Sequence, residues 1–174
     1  MEEGSRIGHL NVFRGLHTVR MESFAVISHL NWFTAFPRER RDFFAGIVRS
    51  PSLTLGAHAA ITSRHLVDCT DAVRVGEFSL VAGYRSQILT HSVNIHLGKQ
   101  DCAPVEIGRY CFIGTGVIVL GGSIIPDFSV IGAGSTFRGE FKESFWLFSG
   151  VPAKPVARLP DEATFFSRTT GTIR

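Results

Sequence analysis

The chain has 174 residues, 44% of them hydrophobic, which is enough apolar material for one core. Eighteen basic against fifteen acidic side chains leave a formal charge of +3 with no dense Lys/Arg block, which argues against nucleic-acid binding. Three Cys, at 69, 102 and 111, cannot all pair within one chain, and no signal-like segment or run of eighteen apolar residues is found, so the expectation is a cytoplasmic protein without membrane insertion.

Residues 1–50 read as less regular coils of the same kind as the rest. Ile7-Gly8 opens like a repeat, and Met21, Ile27 and Phe33 are six apart. Phe24, Trp32, Phe33 and Phe36 are expected to widen the core near one end. Pro37 to Asp42 reads as a loop or short turn, and the charged run Arg38, Glu39, Arg40, Arg41, Asp42 as a solvated one. The pattern resumes at Leu55-Gly56 and continues through Ile61, Val67 and Val73. It then shifts by two residues to Val75-Gly76 and Val81-Ala82, as a longer corner would make it do. Gln87 stands where an anchor is due. Thr90 and His91 follow, and a polar stretch predicts a loop projecting from the stack near 93–104.

From Ile107 the repeat is strict. Bulky apolar residues recur every six positions at Ile107, Ile113, Val119, Ile125, Ile131 and Phe137. Small residues stand four places after each of the first five, at Cys111, Val117, Ser123, Ser129 and Ser135. A helix repeats near 3.6 and a strand at 2, so six implies neither alone. Three short strands closing one triangular coil account for it, with anchors inward and small residues at the corners. Residues 138–174 are expected to cap this end, making 1–174 a single domain.

The stretches THSVNIH (90–96), PVEIGRYCFIGTGVIVLGGSIIPDFSVIGAGS (104–135) and SGVPAKPVARL (149–159) resemble the hexapeptide-repeat acyltransferases, in particular those that acetylate sugar or antibiotic hydroxyls. The resemblance implies an all-β fold, a left-handed parallel β-helix, and it alone supplies the hand. It also implies a homotrimer with active sites between subunits, acetyl-coenzyme A as co-substrate without a metal, and a sugar-like acceptor such as a polysaccharide precursor.

His91 is the leading catalytic candidate. It sits where the anchor pattern breaks, and the family places its general base in this segment. A neutral imidazole can take a hydroxyl proton near pH 7, so that the oxygen attacks the thioester directly. For acceptor binding the candidates are His65, Arg85, Asn94 and His96. His65 and Arg85 occupy corner places after Ile61 and Val81; a satisfied core histidine is the competing reading of His65. For the coenzyme the candidates are Gly114, Thr115, Gly116, Gly132 and Ala133, whose small side chains allow close approach, Phe112, where the resembling family carries an aromatic residue, and Lys154 and Arg158 for its phosphates. Cys102 falls in the projecting loop, where it can be exposed. Two rivals remain on the same fold. One is a metal-dependent hydratase of the gamma-carbonic-anhydrase type, using His91, His96 and His58 or His65. The other is a non-catalytic scaffold.

Overall fold

A computed structural model describes residues 1–37 and 43–173, so the charged run at 38–42 lies outside the described residues. The chain winds as a three-sided left-handed parallel β-helix. The first face stacks Arg6–Ile7, Val26–Ile27, Ala60–Ile61, Leu80–Val81, Phe112–Ile113, Val130–Ile131 and Trp146–Gly150. The second stacks Val12–Arg14, Trp32–Thr34, Leu66–Asp68, Gln87–Leu89, Ile118–Leu120 and Thr136–Phe137. The third stacks Thr18–Met21, Ser52–Leu55, Val73–Val75, Val105–Ile107 and Ile124–Ile125. Each strand pairs in parallel with the coil above and below, as Ile113 does with Val81 and Ile131. Backbone donors and acceptors are thereby satisfied between coils rather than within them.

Short strands turn one bulky side chain inward on the first two faces and, in Ser52–Leu55, Val73–Val75 and Val105–Ile107, two on the third. Ile27, Ile61, Val81, Ile113 and Ile131 line the axis from the first face, Phe33, Val67, Ile88, Val119 and Phe137 from the second, and Met21, Leu55, Val75, Ile107 and Ile125 from the third; all are buried. Cys111, Val117, Ser123, Ser129 and Ser135 are buried at the corners, where a larger group would clash. The aromatic expectation for the early coils needs correction. Only Phe33 enters the core; Trp32, its neighbour on the strand, points outward and is 57% exposed, because successive strand residues face opposite sides. Phe24 instead begins an outer stack at the third corner, Phe24–His58–Phe78–Tyr110–Phe128–Phe145, with neighbouring ring centroids 4.7–5.5 Å apart.

Past the last coil, Ala153–Arg158 folds back antiparallel on Trp146–Gly150. A 3-10 turn at Thr164–Phe166 then sets Phe166 edge-on against Phe128 and Phe145. Tyr110 Oη donates to the Arg168 carbonyl at 3.0 Å, and the Arg168 guanidinium covers Phe165 and donates to the Phe78 carbonyl. The tail therefore runs back along the third corner. Phe141, Trp146 and Phe148 pack against Phe137 and close the core at this end.

The first corner carries a polar ladder instead. Asn31 N–H donates to Asn11 Oδ1, His65 N–H to Asn31 Oδ1 at 2.8 Å, and Ser86 N–H to His65 Nδ1 at 3.1 Å. With Nδ1 accepting, the other ring nitrogen holds the proton and donates to Thr62 Oγ1 at 2.9 Å. His65 is 2% exposed. Burial lowers its pKa to about 4, against weaker opposing hydrogen bonds at Gly83 and Ser86. It is a neutral structural group, so the core reading of His65 is the one the geometry supports. Arg85 is not its equivalent one coil on. Gln87 pairs with Leu66, which puts Ser86 opposite His65 and leaves Arg85 in the turn with a φ of 60°.

Two outcomes follow for stability. Ile113→Ala, at the fully buried centre of the stack, lowers unfolding free energy by about 2–5 kcal/mol in denaturant titration. Because the folded pKa of His65 lies below its unfolded value, the unfolded chain binds the extra proton between about pH 6.5 and pH 4. Wild type should therefore lose roughly 1–3 kcal/mol relative to His65→Asn as pH falls through that window, since burial disfavours the charged ring in the folded state. Parallel curves for the two proteins would contradict this.

Candidate active site

Two long insertions leave the prism, both at the second corner. One joins Trp32–Thr34 to Ser52–Leu55, and the other joins Gln87–Leu89 to Val105–Ile107. The expected loop near 93–104 is an antiparallel hairpin that begins slightly earlier, with His91–Asn94 paired to Lys99–Cys102. The coil between the two insertions also has a longer turn at this corner, built on Asp68, Thr70 and Asp71, which explains the two-residue shift in the sequence pattern.

That turn fastens both insertions. Asp71 Oδ1 accepts from Ser50 N–H at 2.9 Å and from Ala72 N–H at 2.8 Å, and Phe36 N–H donates to Thr70 Oγ1 at 3.2 Å. Arg49, 8% exposed, donates to the carbonyls of Phe36, Pro37 and Thr70, and its guanidinium lies 4.5 Å from the Phe44 ring centroid. On the hairpin side, Thr90 Oγ1 donates to the Asp68 carbonyl at 3.0 Å and accepts from Asp71 N–H at 3.0 Å. Asp68 Oδ2 accepts from the His91 N–H at 2.7 Å, while Oδ1 accepts from Thr70 N–H and Oγ1 at 3.1 and 2.6 Å. One carboxylate thus ties the start of the hairpin to the coil below through charge-assisted bonds.

The imidazole of His91 is half-buried. Phe36 and Phe44 meet it edge to face, with centroids 5.1 and 5.7 Å away. Its Nε2 lies 2.5 Å from Gln100 Oε1. The ring borders a cavity of about 600 Å³ whose walls include Arg14, Thr34, Phe36, Pro37, Asp68 and Thr70. An apolar wall, one exposed guanidinium and one imidazole make a cleft suited to a small polar ligand that gives up a proton. Cys102, opposite His91 in the hairpin, is buried rather than exposed. Burial and then Asp71 push its thiol up to about 11, so it offers no thiolate at neutral pH.

The other candidates fall elsewhere. Asn94 Oδ1 accepts from Leu97 N–H at 3.1 Å and so shapes the hairpin turn, and His96 stands exposed at its tip. His65 and Arg85 lie on the first corner, away from His91 within one chain. Both line a shallow groove there with Trp32 and Arg64. Gly114, Thr115, Gly116, Gly132 and Ala133 continue that first corner upward. An added Cβ at Gly114 would come within 2.8 Å of Ala133 N, and one at Gly132 within 2.9 Å of Ser149 Oγ, so coil stacking explains both glycines. Gly116 and Gly134, at φ of 65° and 69°, would meet nothing within 4 Å and leave open backbone. Thr115 Oγ1 exchanges hydrogen bonds with the Tyr84 backbone. Phe112 lies edge-on to Phe165, and Lys154 and Arg158 are exposed on the closing strand. His58 is stacked between Phe24 and Phe78, so neither it nor His65 is presented as a third metal ligand with His91 and His96. Among the described residues, no group of three or more His, Cys, Asp or Glu could hold a metal ion, and no helix is long and apolar enough to cross a membrane.

Sequence reasoning missed Asp68, Gln100 and Arg14. Asp68 and Arg14 are lone polar residues brought to His91 by stacking of different coils, and Gln100 by the register of the hairpin, proximities without a local signal. Phe36 was noticed, but as core.

No family model matches the chain. Among solved structures, an N-acyltransferase from Bacillus cereus (AntD, a point mutant with dTDP and coenzyme A) superposes at a TM-score of 0.71 with 11% identity, over 91% of this chain and 84% of that one. A hexapeptide-repeat acetyltransferase from Vibrio cholerae, complexed with acetyl-coenzyme A, gives 0.59 with 20% identity over 91% and 73%. The polySia-specific acetyltransferase NeuO gives 0.57 with 17% identity over 93% and 82%. Superposition distinguishes mirror images, so the shared shape includes its hand. The chain has the left-handed β-helix fold of the hexapeptide-repeat acetyltransferases.

Proposed function

We propose that the protein is an acyltransferase that moves an acetyl group from acetyl-coenzyme A to a hydroxyl of a small sugar-like or glycan-precursor acceptor, with His91 as general base. The observation that carries this reading is the His91 imidazole on a cavity of about 600 Å³, on a residue whose backbone N–H is held by Asp68. The fold's occurrence in acyl- and acetyltransferases crystallised with coenzyme A or acetyl-coenzyme A supports the donor.

The residues suit the task in order. Phe36 gives a wall against which the C–H face of a sugar ring can lie, and Arg14 can bind an acidic group on it. His91 removes the acceptor's hydroxyl proton as its oxygen attacks the thioester carbon, and returns a proton to the departing thiolate. Bound acetyl-coenzyme A supplies the acyl group. The bare backbone at Gly116 and Gly134 fits an extended arm, and Lys154 and Arg158 are free to meet its phosphates.

These coenzyme candidates and His91 occupy different corners, so the reading includes a homotrimer that joins them across a subunit boundary. Exposed apolar groups support such a contact: Val12, Trp32 and Leu66 on the second face, and Val93, Ile95 and Leu97 on the hairpin. His65 stays within the polar ladder, while Arg85 lies at the first-corner edge of that face and would then reach the acceptor only from a neighbouring copy. Asn94 and His96 would do so from the hairpin.

The test is an acceptor screen with acetyl-coenzyme A, reading thiol release. Wild type should turn over at least one hydroxylated sugar. His91→Ala should keep the fold and lose about 10²–10⁴-fold in kcat. Turnover unchanged in that variant would reject His91 as the base.

A further inference from the structure

We infer that Gln100 is a positioning residue that fixes the imidazole tautomer, so that Nδ1, and not Nε2, is the nitrogen that takes the acceptor's proton. The inference rests on the acyl-transfer reading of His91 and goes beyond it by naming the working atom and the group that selects it.

His91 pairs with Cys102 across the hairpin, and Gln100 stands two residues back on the same strand. Side chains two apart on a strand share a face, so Gln100 reaches the imidazole diagonally. Its Oε1 lies 2.5 Å from Nε2. An amide can meet a ring nitrogen in two ways. If the amide oxygen faces the ring, Nε2 carries the hydrogen and donates it, leaving a lone pair on Nδ1. If the amide NH₂ faces the ring, it donates to a bare Nε2, and Nδ1 then carries the ring proton. In that second state both nitrogens are spent and the ring cannot act as a base. Only the first state is productive, and it puts the free lone pair on Nδ1.

The cavity agrees with this. His91 lines it, whereas Gln100 lines a separate depression with Phe43, Ala45, Val93, Gly98 and Lys99. The amide that holds Nε2 thus lines a different depression from the space where an acceptor would sit. Phe36 and Phe44 pack on the ring and oppose a flip that would exchange the two nitrogens. During transfer the acceptor O–H bond breaks as the Nδ1–H bond forms. The imidazolium keeps its Nε2–H···O bond to Gln100, and the Nδ1 proton then passes to the leaving thiolate, so the ring ends as it began.

Charged groups around the ring enter the pH dependence. They are Asp68 beneath the His91 N–H, Arg14 across the cavity, Arg49 behind Phe44, and Lys99 and Asp101 flanking Gln100. Gln100→Glu leaves all five in place and adds one charge at Nε2.

Two measurements test the inference. The first is two-bond ¹H–¹⁵N correlation on wild-type protein labelled at histidine, with the His91 signals identified by their loss in His91→Ala. The neutral ring should show a protonated Nε2 and a bare Nδ1. A protonated Nδ1 with a bare Nε2 would overturn the proposal, whatever the enzyme's activity. The second is the pH dependence of kcat/KM. Gln100→Glu should move its acid limb upward by about one unit, because a carboxylate favours the imidazolium. Gln100→Leu should lower kcat about 10–100-fold with a smaller change in KM. An unmoved limb together with an unchanged kcat in the leucine variant would overturn the positioning role. Unchanged turnover in His91→Ala would instead reject the general base beneath it, while the tautomer readout would still stand.

Discussion

Every interior strand of the three faces must satisfy its backbone through the coil above and the coil below, and that single requirement decides where anything else can be placed. A side chain can point inward or outward from a face, but a face cannot grow without breaking two ladders at once. Growth is confined to corners. The first corner is occupied by a ladder in which Asn11, Asn31, His65 and Ser86 bond coil to coil. The third is occupied by stacked aromatic rings and the returning tail. Both insertions emerge at the second corner, and the cavity lies between them.

Local electrostatics then shape the site. Asp68 and Asp71 are held by N–H and O–H donors from the turn and from both insertions, so their charge is spent on fastening segments distant in sequence. The same bonds fix the start of the hairpin, and with it the ring that Gln100 and the two phenylalanines hold. An imidazole so constrained is prepared for one geometry, which is what positioning for a direct reaction between two bound substrates demands. Asp68 does not touch the ring. It acts on the backbone beneath it.

The repeat was legible because its period is a backbone property. Ile107 to Phe137 announce their inward direction by interval alone, and Ser123, Ser129 and Ser135 announce their corners by size. Earlier coils were harder to read. Turns of unequal length move the interval, so the count of six puts Arg85 where Ser86 stands and makes Gln87 look like a missing anchor, although Ile88 fills that place. His91 was visible as a break in the pattern. Its surroundings were not, since Arg14, Phe36 and Asp68 converge only after the coils stack and Gln100 only once the hairpin takes its register, and no spacing between them encodes that. The glycines divide by what lies above them. Gly114 and Gly132 make room for the next coil, whereas Gly116 and Gly134 are left bare, a distinction that the letter Gly does not carry.

The most direct test of the central claim, acyl transfer at the second corner, is a crystal structure of the protein grown with coenzyme A. The account predicts a trimer in which the pantetheine sulfur lies beside the His91 imidazole of one copy, with the arm following the bare first-corner backbone of another. Coenzyme A bound with its sulfur remote from every His91 would contradict it.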